Sequence, residues 1–178
     1  METVRAVLES QVLGVVLGFL LSWVLQWFSG KKKCKTHWAA LSAEVEKWKE
    51  MAEGYLKDDV VAPLGRLPVS CFQTSLPVLL AEAAVAKEEL SVLMDLFCQV
   101  QSFNRGLDMT TDLYSTTLVG REEHKQQLKM EDVHKRNRKY AEELSTREQK
   151  GLCERAIEII GSHLTSWRWF QLYFKPRQ

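Results

Sequence analysis

The chain has 178 residues, of which 46% are hydrophobic and 26% are charged, and its formal net charge at neutral pH is +1. A balance this close to neutral excludes polyanion binding through bulk charge, so no nucleic-acid partner is expected, although a local basic cluster can still act. Outside an apolar N-terminal segment, about 140 residues remain, which is enough for one domain with its own core. The four cysteines are scattered without CxxC spacing, so reduced thiols in the cytosol are expected.

An uncharged apolar run occupies residues 12–28, with the sequence VLGVVLGFLLSWVLQWF. As a helix, this run covers about 26 Å of a hydrocarbon core that is about 30 Å thick. A cleaved signal peptide would carry its positive charge before the run and small residues after it, whereas here tryptophans and lysines occupy the far side. Residues 1–30 are therefore predicted to form a transmembrane anchor.

Aromatic and basic residues cluster at the C-terminal end of the anchor and continue into a basic juxtamembrane segment, residues 31–35. Tryptophan favours the boundary between lipid and water, and lysine favours the cytoplasmic side. The predicted interface anchors are Trp23, Trp27, Lys31, Lys32, Lys33 and Lys35. Because Arg5 is the only basic residue before the run, we expect an outside N-terminus and a cytoplasmic C-terminal domain. Membrane lipid is thus the first expected partner.

Gly14, Gly18 and Ser22 repeat every four residues along the anchor. Such spacing leaves one stripe of a membrane helix without bulk, so that a second helix can approach closely. The partner is either another membrane protein or a second copy of this chain. The alternative is that the glycines carry no packing role, because glycine is frequent in membrane helices.

The soluble region, residues 36–178, begins with a helix that leaves the anchor almost without interruption. Its apolar residues alternate spacings of three and four. They are Trp38, Leu41, Val45, Trp48, Ala52 and Tyr55. Three heptads are near the lower limit for a coiled coil, which favours packing inside a helical bundle.

Prolines interrupt the helical pattern between residues 60 and 76, and a short helix is predicted over residues 79–86. A stronger apolar pattern follows from Lys87, and Gly106 predicts a nearby helix end. A charged helix is expected over residues 121–150.

Ser145 and Glu148 have capping-box spacing, which indicates either a new helix start or a serine inside a continuous helix. A last helix carries Ala156, Ile157, Ile160, Leu164 and Trp167. The predicted fold is all-α: one N-terminal transmembrane helix followed by an antiparallel bundle of about four helices.

Four short motifs lie between residues 44 and 108: Tyr55-Leu56, PLGRLP at residues 63–68, Leu79-Leu80, and NRGLD at residues 104–108. With these motifs the chain resembles a loose group of uncharacterised bacterial single-pass membrane proteins with a helical cytoplasmic domain. The resemblance implies an architecture and a bacterial inner membrane, and it implies no activity.

No catalytic, cofactor or metal motif occurs in the sequence, which lacks a phosphate-binding glycine loop, HExxH, GxSxG and paired-cysteine spacing. Cys34 and His37 share a helical face, but a closed metal site needs four ligands. His124, His134 and His163 are isolated and are expected to be solvated or hydrogen-bonded. We therefore predict no catalytic residue, no metal ligand and no cofactor.

A basic cluster in the charged helix is a candidate anion site formed by Lys135, Arg136, Arg138 and Lys139. Acidic residues flank this cluster within a turn, so the alternative is a solvated helix face with salt pairs.

The C-terminal segment mixes cations with the aromatics Trp167, Trp169, Phe170, Tyr173 and Phe174. This composition suits docking on a membrane interface or on a protein partner, and the alternative is packing on the bundle's own core.

Together these patterns favour a noncatalytic, membrane-tethered interaction module, such as an accessory subunit of a larger membrane complex. The first alternative is a signalling or stress-response effector whose bundle responds to events in the anchor. An enzyme with a site assembled from scattered residues is a third class, and a deep pocket with perturbed carboxylates or histidines would favour it.

Overall fold

The computed structural model describes the backbone of residues 2–57, 65–117, 123–145 and 151–165. Side chains are described for residues 12–57, 65–115, 129–145 and 151–165. These residues form five α-helices and no strand, which confirms the all-α prediction. The helices are α1 (Glu2–Lys57), α2 (Ser70–Ala81), α3 (Lys87–Thr117), α4 (Glu123–Ser145) and α5 (Leu152–Leu164).

The predicted anchor, the juxtamembrane segment and the first bundle helix form one continuous helix, α1. All six residues of the predicted seam are buried, and five of them are fully inaccessible to solvent. Cys34 extends the seam by one further position towards the anchor. The seam packs against α2, α4 and α5, so α1 belongs to a bundle rather than to a two-stranded coiled coil.

Contacts along α1 show that α2 and α5 run in the opposite direction to it. In α2, the Ser75 hydroxyl lies 3.1 Å from His37 Nδ1 and Glu82, just after the helix, lies 3.6 Å from Lys33. In α5, Glu154 bonds to Lys49 at 2.7 Å, while His163 stacks on Trp38. The C-terminal ends of α2 and α5 therefore both lie at the end of the bundle nearest the apolar segment.

The α3 helix runs in the same direction as α1, and α4 runs back against both. Glu89 at the start of α3 bonds to His163, and Phe103 further along packs on Tyr55. In α4, His134 lies beside Tyr55 and Glu143 beside Gln99. Both α4 and α5 therefore pack on α1 and α3. The α4 helix does so in the half of the bundle far from the apolar segment, which we call distal, and α5 does so in the half near that segment, which we call proximal.

The α2 helix spans Ser70–Ala81, so the short helix predicted over residues 79–86 is wrong: only its first three residues are helical. The buried Glu44 carboxylate accepts hydrogen bonds from the backbone N–H groups of Cys71 and Phe72, at 2.9 and 2.6 Å. These N–H groups belong to the first turn, where a helix has no internal acceptors. The Glu44 carboxylate of α1 therefore caps the N-terminus of α2, which begins at Ser70, nine residues before the predicted start. The α2 helix also contains Pro77.

The connection before α2 is held by a buried asparagine of α3. Leu67 donates its N–H to Asn104 Oδ1 at 2.7 Å and accepts from Asn104 Nδ2 at 3.0 Å. Trp48 Nε1 also donates to the Pro68 carbonyl, and Arg66 pairs with Asp108 at 2.6 Å. The motifs PLGRLP and NRGLD, far apart in sequence, therefore meet in the fold.

Gly106 does not end α3, which continues to Thr117, so the predicted helix stop is wrong. A Cβ atom at Gly106 would lie 1.8 Å from Asn137 Oδ1 in α4, and Asn137 Nδ2 donates to Thr110 Oγ1 at 3.1 Å. The glycine therefore lets two helices approach closely instead of supplying a turn.

Ser145 is the last described residue of α4, where its Oγ donates to the Ala141 carbonyl at 2.9 Å. The alternative of one continuous helix through Ser145 into the last helix is wrong, because the backbone of Gly151 is extended. Residues 146–150, where the alternative helix start was predicted, lie outside the described residues. The α5 helix begins after Gly151, whose backbone is extended.

Candidate membrane anchor and interaction surfaces

The apolar part of α1 is the one helical segment among the described residues that is long and apolar enough to cross a membrane. Side chains from residue 12 to residue 26 are all exposed, and the most apolar window has a mean hydropathy of 1.9 with none of it buried. A core helix of a soluble protein would instead bury such a segment. This segment therefore presents an uncovered apolar surface to its surroundings.

The stripe of small residues in this segment is open. A Cβ atom added at Gly14 or at Gly18 would meet no atom within 4 Å, and Ser22 is exposed. No contact within the chain therefore explains the spacing of these residues.

Aromatic and basic side chains pack on one another at the C-terminal end of the apolar segment. Lys31 Nζ lies 3.3 Å above the centre of the Trp27 ring, in a cation–π contact. Phe28 packs its ring edgewise on Trp27, with 5.2 Å between the ring centres, while Trp23 stays exposed. Of the lysines that follow, Lys32 and Lys35 are exposed and Lys33 pairs with Glu82.

The first buried layer of the bundle begins directly after these lysines. Burial raises the pKa of the Cys34 thiol, and the Glu82 carboxylate raises it further. His163 is fully buried, stacks on Trp38 with 4.3 Å between ring centres, and bonds through Nε2 to Glu89 Oε2 at 2.9 Å. This histidine therefore joins α1, α3 and α5 at the proximal end of the bundle.

The predicted aromatic docking segment has no described structure. Trp167, Trp169, Phe170, Tyr173 and Phe174 lie outside the described residues. Thr165, the last described residue, is two positions after His163 and thus emerges near the level of Trp38. The described chain therefore ends, at Thr165, at the end of the bundle nearest the apolar part of α1.

The basic cluster of α4 lies on an exposed surface. Lys135, Arg136, Arg138 and Lys139 are all exposed. Arg138 pairs with Glu142 at 3.7 Å and Lys139 with Glu143 at 3.9 Å, both one helical turn apart, as a solvated helix face predicts. Arg136 of α4 also lines a small cavity between α3 and α4, and so does Arg105 of α3. Sequence reasoning missed Arg105, because its proximity to α4 depends on the close approach at Gly106.

Several other polar groups inside the bundle are engaged with one another. Lys49 bonds to Glu154, which is the main reason for its raised pKa, and burial raises the pKa of the neighbouring Cys153 thiol to about 12. The Tyr55 hydroxyl lies 2.8 Å from His134 Nδ1, and burial raises the pKa of that tyrosine. These residues hold helices together and present no open cleft.

The described residues contain no group of three or more histidine, cysteine, aspartate or glutamate side chains arranged to hold a metal ion. Cys34 and His37, which share a helical face in the sequence, lie in different surroundings, because Cys34 is buried and His37 lies within hydrogen-bond distance of Ser75 on α2.

No protein-family model, no curated protein and no solved structure matches the chain.

Proposed function

We propose that this protein is a noncatalytic interaction module held at a membrane by the apolar part of α1, which recruits or steadies a membrane-protein partner. The observation that carries the proposal is the continuity of α1, which passes without a break from an exposed apolar segment to buried core positions. Such a helix fixes the bundle relative to whatever the apolar segment contacts.

Two further features support recruitment at the membrane surface. The C-terminal ends of α2 and α5 lie at the end of the bundle nearest the juxtamembrane lysines, with Glu82 beside Lys33 and His163 stacked on Trp38. The small-residue stripe of Gly14, Gly18 and Ser22 has no partner within the described chain. A second helix, from a partner or from another copy, would cover it.

The lysines after the anchor support an outside N-terminus and a cytoplasmic bundle, as in a bacterial inner membrane. Cys98 is the suitable reporter of this orientation, because it is exposed whereas Cys34 and Cys153 are buried. A membrane-impermeant maleimide should label the protein in opened cells and not in intact ones. If intact cells are labelled and the labelling disappears in a Cys98→Ser variant, the bundle lies outside and the proposed orientation is wrong.

Copurification of the full chain in a gentle detergent tests the interaction itself. The double variant Gly14→Ile/Gly18→Ile adds apolar side chains to the stripe. Its α1 helix should therefore still insert into the membrane, but the protein should no longer copurify with its partner. The control Leu13→Ile with Leu17→Ile places isoleucine on another face of the same helix and should keep the partner. Equal recovery of every partner, including a second tagged copy, from both variants would refute recruitment through the stripe.

The second candidate function is signalling, and the unbroken α1 favours it specifically, because a continuous helix transmits rotation from the anchor to the bundle. A change in the protease sensitivity of the bundle on cross-linking the anchor would support signalling, whereas recruitment alone predicts an unchanged bundle.

A further inference from the structure

The end of α2 and its connection to α3 are apolar, although part of this stretch lies outside the core. Residues 77–86 read PVLLAEAAVA, in which Glu82 is the only charged residue. Connections in contact with water usually contain glycine, asparagine, aspartate or serine, and this stretch has none of them. Leu80, Ala81 and Ala83 are nevertheless exposed. Residues 77–86, which we call the apolar turn, therefore present apolar side chains on the surface of the bundle.

The backbone of the apolar turn brings α2 to a sharp end. The Ala84 N–H donates to the Leu79 carbonyl at 2.9 Å, which closes the last turn of the helix. Between them, Ala83 has a φ of 50°, in the left-handed region where glycine is the usual residue at a helix end. The chain therefore carries an exposed methyl group at a position where glycine would be less strained.

An ion pair fixes the position of the apolar turn along α1. Glu82 lies 3.6 Å from Lys33. Lys33 is five residues beyond Phe28, the last residue of the apolar run, or about 8 Å at 1.5 Å per residue. The headgroup layer of a bilayer extends about 5–8 Å beyond the hydrocarbon on each side. In a membrane spanned by the apolar segment, the apolar turn therefore lies at the level of the headgroups.

The same ion pair leaves the apolar turn without net charge. A carboxylate brought alone against lipid would lose part of its hydration, which is costly. Glu82 approaches together with a lysine, and the neighbouring Lys32 and Lys35 are exposed. Exposed lysines beside a membrane attract the phosphates of lipid headgroups. Apolar side chains next to cations thus match the chemistry of a bilayer surface.

We propose that the apolar turn is a second membrane-contact surface, which lies among the phospholipid headgroups of the membrane that holds α1. This proposal rests on the membrane anchor of the proposed function and adds a contact made by the bundle itself. With α1 and the apolar turn both in contact with lipid, the bundle has two points of attachment and a fixed tilt relative to the membrane.

Fluorescence quenching of the full chain in phosphatidylcholine nanodiscs, one copy per disc, tests this contact. Cys71 and Cys98 are first replaced by serine, because they are the described cysteines that are not buried. A nitrobenzoxadiazole fluorophore is then attached to Leu80→Cys. A lipid that carries a nitroxide near the headgroup end of its acyl chain quenches fluorophores at that depth. Quenching should be severalfold stronger at Leu80→Cys than at Met94→Cys.

Met94 is the matched control, because its apolar side chain is 42% exposed and that of Leu80 is 43% exposed. Met94 is five residues beyond Glu89 on α3, and Glu89 lies near the level of Trp38. Since α3 runs in the same direction as α1, Met94 is about 15 Å further from the membrane than Lys33. Equal quenching at the two positions would overturn the proposal.

A label at Leu25→Cys, an exposed position of the apolar segment, separates failure of the contact from failure of the anchor. Quenching at Leu25 and not at Leu80 would overturn the membrane contact and leave the anchor standing, whereas no quenching at either position would overturn both. Quenching at Leu80 that appears only in nanodiscs with two copies would assign the apolar turn to a second copy, and would also overturn the proposal.

A charge added to the exposed face of α2 tests whether apolar surface holds the turn at the membrane. Ala81→Glu adds a carboxylate beside Leu80, so quenching of the Leu80 label should fall severalfold. Thr74→Glu is the control, because Thr74 is exposed on the same face two helical turns earlier, about 10 Å further from the membrane, and quenching should be unchanged. Equal quenching in the two variants would overturn the proposal.

Discussion

Replacing Asn104 by alanine is expected to destabilise the bundle by about 2–4 kcal/mol. The side chain of Asn104 bonds to both the N–H and the carbonyl of Leu67, at 2.7 and 3.0 Å, and Leu67 is 1% exposed. Two neutral hydrogen bonds contribute about 1 kcal/mol each, and each backbone group left buried without a partner adds its own desolvation cost. Water cannot readily replace the lost amide at this depth.

Urea unfolding of the full chain in detergent micelles, followed by tryptophan fluorescence, measures this loss. Trp48 donates to Pro68 in the same connection and therefore reports on it. The control is Arg66→Gln, which breaks an ion pair between the same two segments, but on the surface, and should cost less than about 1 kcal/mol. If both variants unfold at the same urea concentration, the buried asparagine does not hold the connection.

Three further substitutions test other contacts by the same unfolding assay. Gly106→Ala should destabilise the protein by about 1–3 kcal/mol, because the added Cβ collides with Asn137 of α4. Gly54→Ala is the control and should stabilise the protein slightly, because its Cβ meets no atom within 4 Å. The reverse order of stability would refute the close approach at Gly106. Glu44→Gln should cost about 2 kcal/mol, because it removes a charged cap from α2, while the exposed Glu46→Gln should be nearly neutral. Buried Cys153, with a pKa of about 12, stays protonated when folded but ionises near its ordinary pKa of 9.0 when unfolded. The stabilisation that comes from keeping this thiol protonated is therefore complete below pH 9, and it falls by about 1 kcal/mol between pH 9 and 10. In Cys153→Ala, the free energy of unfolding should consequently decrease less over that pH range.

The seam of α1 could be predicted from the sequence because its signal is local and periodic. Spacings of three and four place Trp38, Leu41 and Val45 on one side of a helix whatever packs against them. The all-α class and the number of bundle positions follow from the same kind of pattern. These predictions needed no knowledge of which helices are neighbours.

The errors occurred where one helix acts on another. The start of α2 depends on Glu44, which lies 27 residues earlier in the sequence, so no local pattern announces it. Gly106 has the residue type of a helix end, but its role is set by Asn137 of α4. His163 was expected to be solvated or hydrogen-bonded, and it does form a hydrogen bond, but its partner Glu89 is 74 residues away and could not be named from the sequence. Residue type alone does not distinguish these roles.

The continuity of α1 relates the anchor stripe to the bundle in a way that neither segment shows alone. Gly18 precedes the buried Trp38 by 20 residues, and Ser22 precedes it by 16. At about 100° per residue, Gly18 and Ser22 point about 160–200° away from Trp38, and Gly14, which is 24 residues before it, points about 120° away, so the stripe faces away from the buried seam. The exposed residues Thr36 and Ala43 continue the direction of the stripe beyond the anchor. A helix on the stripe would therefore approach α1 from the side that the bundle leaves open.

Alanine insertions between Lys33 and Cys34 should separate this geometry from simple tethering. Two inserted residues turn the bundle by about 200° and bring it over the stripe, so partner copurification should be lost by steric exclusion. Seven residues lengthen α1 by about 10 Å but change the phase by only about 20°, so copurification should persist. Urea unfolding should be nearly unchanged in both, because the buried seam stays intact beyond the insertion. Equal recovery of the partner with two and with seven residues would show that the helical phase of α1 does not control recruitment, and the stripe would then act independently of the bundle.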